Sequence, residues 1–88
     1  YSLGNEYLKE GELAQAEICF KNAVDRDPHY SAAWKALAKT MLDSGQPEAA
    51  LKTYETGISV AEALGDIQAA KEMTVFARRL RKALQVAE

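Results

Sequence analysis

The sequence predicts an all-α fold, a superhelix of antiparallel helix pairs with about two repeats and a C-terminal capping helix. Three observations carry that expectation. Shifted against itself by 34 residues, the chain superimposes Leu3 on Leu37, Gly4 on Ala38, Leu8 on Leu42, Gly11 on Gly45, Ala16 on Ala50, Phe20 on Tyr54 and Ala23 on Gly57. A period of that length marks stacked units, each covering its neighbour's apolar face. The apolar spacing is helical throughout, and no strand-like alternation survives beyond three or four residues. The connections are two to five residues long, which forces successive helices to pack antiparallel.

Each element has its own signals. Residues 1–10 place Leu3, Tyr7 and Leu8 on one side with Gly4 between them, and Gly11 ends the segment. A second helix runs from about Glu12 to Arg26 with Leu13, Ala16, Phe20, Ala23 and Val24 inward, and Pro28 bars its continuation. Ser31 reads as the N-cap of a third helix carrying Trp34, Leu37, Ala38, Met41 and Leu42, which Ser44 and Gly45 stop. Pro47 suits the first turn of a fourth helix, with Glu48 beside the positive end of its dipole. That helix presents Ala50, Leu51, Tyr54, Ile58 and Ala61 to the core and runs to about Leu64. Gly65 closes it, and Asp66 caps the last helix, 67 to about 86.

The register of this last helix has two solutions. Ile67, Ala70, Thr74, Ala77, Leu80 and Leu84 line one face; Met73, Phe76 and Leu80 line a slightly rotated one. Its end is basic, with Arg78, Arg79, Arg81 and Lys82, which suits the helix dipole and a terminal face that no further repeat covers.

At 88 residues the chain is long enough for one small domain and little more. Its 48% apolar and 27% charged residues are ordinary for a globular protein. A net charge of −2 gives no reason to expect nucleic acid or an anionic membrane as partner. Cys19 is the only cysteine, so there is no internal disulfide; a reducing, cytoplasmic setting is expected. No apolar run approaches the roughly 20 residues that span a bilayer. Tyr1 already sits inside an amphipathic pattern without a cap before it, as in a piece of something longer.

The pattern of large and small residues resembles the tetratricopeptide repeat. In a first unit, residues 1–30, Leu3, Gly4, Tyr7, Ala16, Phe20, Ala23 and Pro28 stand at its signature positions. In a second unit, residues 31–64, Trp34, Leu37 and Ala50 match outright. Ala38, Met41, Tyr54 and Gly57 replace the usual glycine, tyrosine, phenylalanine and alanine, and Glu62 stands where proline is usual. Residues 65–88 fit only by analogy, as a capping helix. The physics is independent of the name. A glycine inside a helix costs about 1 kcal/mol relative to alanine, so Gly4 reads as a point of close helix approach.

Candidates for chemistry are few. His29 is the only histidine, it follows Pro28 in a connection, and no second ligand or base partner lies at metal or triad spacing. Cys19, between Ile18 and Phe20, reads as a small apolar filler. Asp25 and Asp27 flank Arg26 as a solvent-facing cluster. No glycine-rich phosphate loop, HExxH or EF-hand pattern appears. The expectation is a non-enzyme without cofactor or metal.

The resemblance implies a concave groove lined by the first helix of each pair. On this chain it carries Tyr1, Asn5, Leu8 and Lys9, then Lys35, Lys39, Leu42 and Asp43, with His29 and Tyr30 at the junction between units. Lys35 and Lys39 are like charges at i, i+4, which an acidic partner or Asp43 would relieve. Some relatives hold a C-terminal carboxylate with an asparagine and several basic residues. Asn5 fits that clamp, but Tyr1 and Ala36 stand where lysine and a second asparagine are expected, which disfavours it.

The leading expectation is therefore a module that binds a peptide or partner helix, acidic in character, in that groove. The alternative is a self-assembling module that forms homo-oligomers through exposed repeat ends. RNA binding through the basic last helix is a weaker reading.

Overall fold

The computed structural model describes residues 12–86. Among them are four helices and no strand: α1 (Leu13–Arg26), α2 (Ser31–Asp43), α3 (Pro47–Leu64) and α4 (Ile67–Val86). The helix expected over 1–10, with Gly4, lies outside the described residues. Each helix packs chiefly against the next in sequence, and α2 also meets α4. This is the arrangement that short connections demand.

The stops work as their residue types require. Gly45 and Gly65 adopt positive φ, 82° and 76°, a region that side-chain-bearing residues avoid. The same two bonds close both helices. Gln46 N–H reaches Met41 O at 2.8 Å and Gly45 N–H reaches Leu42 O at 3.1 Å. Asp66 N–H reaches Ala61 O at 2.8 Å and Gly65 N–H reaches Glu62 O at 3.1 Å. The last carbonyls of α2 and α3 are thereby satisfied. Pro47 opens α3 at its first turn, with Glu48 in the same turn. Trp34 Nε1 donates to Pro28 O at 2.8 Å, fixing the α1–α2 connection to the helix it leads into.

Two expectations about helix ends change. Ser31 is not a cap: Tyr30 holds that position, with no side-chain capping bond to the helix, and Ser31 is the first residue of α2. Its hydroxyl instead donates to Asp66 Oδ2 at 2.8 Å. Asp66 does cap α4, since its Oδ1 accepts from Ala69 N–H at 3.3 Å. One carboxylate thus joins the starts of α2 and α4. Nor do the cations of α4 serve its dipole. The helix runs to Val86 and its last turn holds no basic residue, and the dipole's influence fades within one turn.

The core is built from small and large residues in alternation. Ala16, Ala33, Ala38, Ala50 and Ala61 are fully buried beside Phe20, Tyr54 and Met73. Ala23, Trp34, Leu42, Leu51 and Ile58 pack half-buried around them. Where proline is usual, Glu62 lets α3 run to 18 residues, against 14 for α1. The starts of α2 and α4, Ser31 and Ile67, are consequently 36 residues apart, two more than the repeat. That offset settles the register of α4. Ala70, Met73, Ala77 and Leu80 are buried, Phe76 is half-buried, and Ile67 is left 67% exposed. No helix among the described residues is long and apolar enough to cross a membrane.

Candidate functional site

The structure places Lys35, Lys39, Leu42 and Asp43 along one face of α2, over about 12 Å of helix. Lys39 and Asp43 are exposed and Leu42 is half-buried. Tyr1, Asn5, Leu8 and Lys9, assigned to the same groove, lie outside the described residues.

The two lysines prove unequal. Lys35 Nζ lies 2.6 Å from Glu72 Oε2, an ion pair between α2 and α4. Gln68 Nε2 also approaches Glu72, at 3.5 Å. The hydrogen bond and charge of Lys35 hold the Glu72 carboxyl below its ordinary pKa. Around the pair is a cleft of about 160 Å³, walled by Ser31, Asp66, Gln68 and Ala69. Lys35 is therefore committed to a neighbouring helix. Lys39 has no ion pair among the described residues, and the expected Lys39–Asp43 bridge does not form.

Asp43 acts elsewhere. Tyr54 of α3 is fully buried and stacks on Phe76 of α4, with ring centroids 5.6 Å apart and planes 12° from parallel. Its hydroxyl has no hydrogen-bond partner among the described residues. Burial, and then the negative charge of Asp43, push the phenol pKa up to about 12. The core near Asp43 thus contains a desolvated polar atom that no other described residue compensates.

The other candidates remain scattered. His29 is exposed and its backbone N–H donates to Asp27 Oδ1 at 3.2 Å, a local turn bond. Cys19 is half-buried on α1 with a free thiol. Asp25 and Asp27 are exposed. Among the described residues no three His, Cys, Asp or Glu side chains converge as a metal site. Sequence reasoning missed Glu72, because its partner stands 37 residues away, off the repeat by three.

The Lys35–Glu72 pair gives a pH prediction. A carboxyl whose folded pKa is depressed contributes stability that is present above the unfolded pKa. That contribution is lost as pH falls through the folded value. Glu72→Gln is expected to flatten the acid limb of a Tm-versus-pH curve and to leave the neutral-to-alkaline limb parallel to wild type. Both groups are well exposed, so the effect at neutral pH is small.

Known proteins share both the pattern and the geometry. A tetratricopeptide repeat family model matches residues 7–73. A TPR repeat-containing protein of Pseudomonas aeruginosa is 41% identical over 83 residues, spanning 94% of this chain and 79% of the relative. The solution structure of a tetratricopeptide repeat domain protein from Salinibacter ruber superimposes with a TM-score of 0.87 at 28% identity, over 91% of this chain and 81% of that one. A crystal structure from the same organism gives 0.85 at 27% identity, over 92% and 91%. A Bordetella parapertussis protein gives 0.83 at 38% identity, over 93% and 71%.

Proposed function

Because the chain belongs to the tetratricopeptide repeat family, we propose that it is a non-catalytic interaction module holding an acidic peptide or partner helix in a concave groove. Residues 1–30 and 31–64 are its two repeats in this reading, 65–88 its capping helix, and the cytoplasm its compartment. Neither nucleic acid nor membrane is invoked.

The observation that supports the groove is the division of labour between the two lysines. Lys35 is neutralised by Glu72, whereas Lys39 stands exposed and unpaired among the described residues, over half-buried Leu42. A partner carboxylate at Lys39 and an apolar side chain on Leu42 would use what α2 leaves unused. Asp43, at the end of the row, disfavours acidic residues there and so gives the bound segment a direction.

The test starts from peptides selected on the full chain from a random library. Lys39→Glu is expected to weaken the selected peptides about tenfold, roughly 1.4 kcal/mol, with helicity unchanged. Its new like charge beside Asp43 costs the helix only about 0.5 kcal/mol or less. Lys35→Ala is expected to weaken them less, because its charge is already spent within the fold. Equal affinity of wild type and Lys39→Glu removes this face from the site.

A further inference from the structure

A second surface lies on the far side of α4 from Phe76. The end of α3, at Glu62, and the outer face of α4 enclose an open groove of about 600 Å³. Its floor is Ala70 and Thr74, and its flanks are Ile67, Lys71, Val75 and Arg78. Ile67 is 67% exposed and Val75 45%, the two lying eight residues apart along one helix face. Thr74 adds no unsatisfied polar group, since its hydroxyl donates to Ala70 O at 2.7 Å.

We propose that this groove is a docking site for an acidic amphipathic helix of a partner protein. Three features specify that occupant. Both walls are helices whose backbone groups are already paired, so a guest finds no sheet edge to extend. It must satisfy its own backbone bonds, which a helix does. The floor is made of small side chains, which lets a helix axis approach closely, and exposed Ile67 and Val75 require apolar residues opposite.

Charge fixes the rest. On α4, Glu72 and Arg81 are paired to Lys35 and Glu55. Lys71, Arg78, Arg79 and Lys82 have no ion pair among the described residues. The uncommitted charge of this helix beside the groove is therefore positive. Lys71 and Arg78 stand seven residues apart, about 10 Å along the axis, so carboxylates two turns apart on the guest meet both. Glu62 at the opposite wall repels them and sets which side of the guest is acidic. The surface is distinct from the α2 face and does not depend on it.

The experiment uses the full chain and two synthetic helical peptides with the same Leu/Ala stripe. One is flanked by glutamates seven residues apart, its twin by lysines. Calorimetry on the Lys39→Glu chain, whose α2 face is blocked, is expected to show the glutamate peptide binding at least tenfold more tightly, with resonance shifts confined to the end of α3 and to α4. Lys71→Glu combined with Arg78→Glu in the same chain is expected to abolish that preference. All three sites are exposed, so folding is not at stake, and Arg78→Ala alone should lose part of the preference. Equal binding of the twins, binding of neither at millimolar concentration, or shifts on α2 with none on α4 overturns the proposal; shifts on α2 that Lys39→Glu removes belong to the other face. So does a concentration-dependent dimer that the Lys71/Arg78 reversal dissolves, which would make the occupant a second copy. Binding to phosphatidylserine vesicles in preference to the glutamate peptide overturns it too.

Discussion

Replacing Gly57 by valine is expected to destabilise the fold by about 3 kcal/mol. Gly57 is buried on α3 where α2 and α4 come together. A Cβ built there would lie 2.7 Å from Met73 Sδ and 2.9 Å from Trp34 Cβ. The two contacts differ in kind. The Met73 side chain is flexible and can withdraw, but Trp34 Cβ moves only with the backbone of α2.

Alanine at this position gains up to about 1 kcal/mol of helix propensity and must still displace α2 against α3. Gly57→Ala is therefore expected to come out destabilised, by about 1 kcal/mol. Valine adds two methyl groups to the same clash. Urea unfolding of both variants checks the ordering, and Gly57→Ala combined with Met73→Ala apportions the strain. A double variant that shows no coupling between the sites would place the whole cost on Trp34. A stabilised Gly57→Ala would mean that the helices separate without penalty, contrary to close packing at this point.

The same residue shows what the sequence made legible. Gly57 falls on Ala23 at the repeat distance, but the sequence marks it only as a substitute for alanine; the close approach to Trp34 and Met73 is a finding of the structure. Most helix ends were readable, because Gly45, Gly65 and Pro47 each do one local job, and Asp66 caps α4 even while it also accepts from distant Ser31. Where the outcome depends on a partner far along the chain, local reading failed. Ser31 has the chemistry of a cap, but its hydroxyl is taken by Asp66, 35 residues on. The register of α4 depended on how far α3 runs past the usual proline position, which Glu62 permits without specifying.

The candidate site divides along the same line. That Lys35, Lys39, Leu42 and Asp43 share a face follows from helical spacing alone. Which of the lysines remains available does not, since it depends on Glu72 arriving beside Lys35 through the two-residue offset of α4. Similarly, Tyr54 at a position of usual phenylalanine reads as a tolerable change of size. That its hydroxyl ends without a partner among the described residues is a property of the packed helices.

That hydroxyl supports the second large prediction. Tyr54→Phe is expected to raise stability by about 1 kcal/mol, because it removes a desolvated polar atom and keeps the ring on Phe76. Tyr54→Ala, by contrast, is expected to lose about 3–5 kcal/mol by opening a cavity where a fully buried ring stood. The pH response separates the hydroxyl from the ring. A phenol raised from 10.0 to about 12 on folding contributes stability that is whole below pH 10 and is lost as pH rises towards 12. The slope in that window is on the order of 1 kcal/mol per pH unit. Tyr54→Phe lacks this term, so its advantage over wild type should widen between pH 9 and pH 11 in parallel denaturation curves. A Tyr54→Phe variant less stable than wild type at neutral pH would show that the hydroxyl is bonded and stabilises the core instead of straining it.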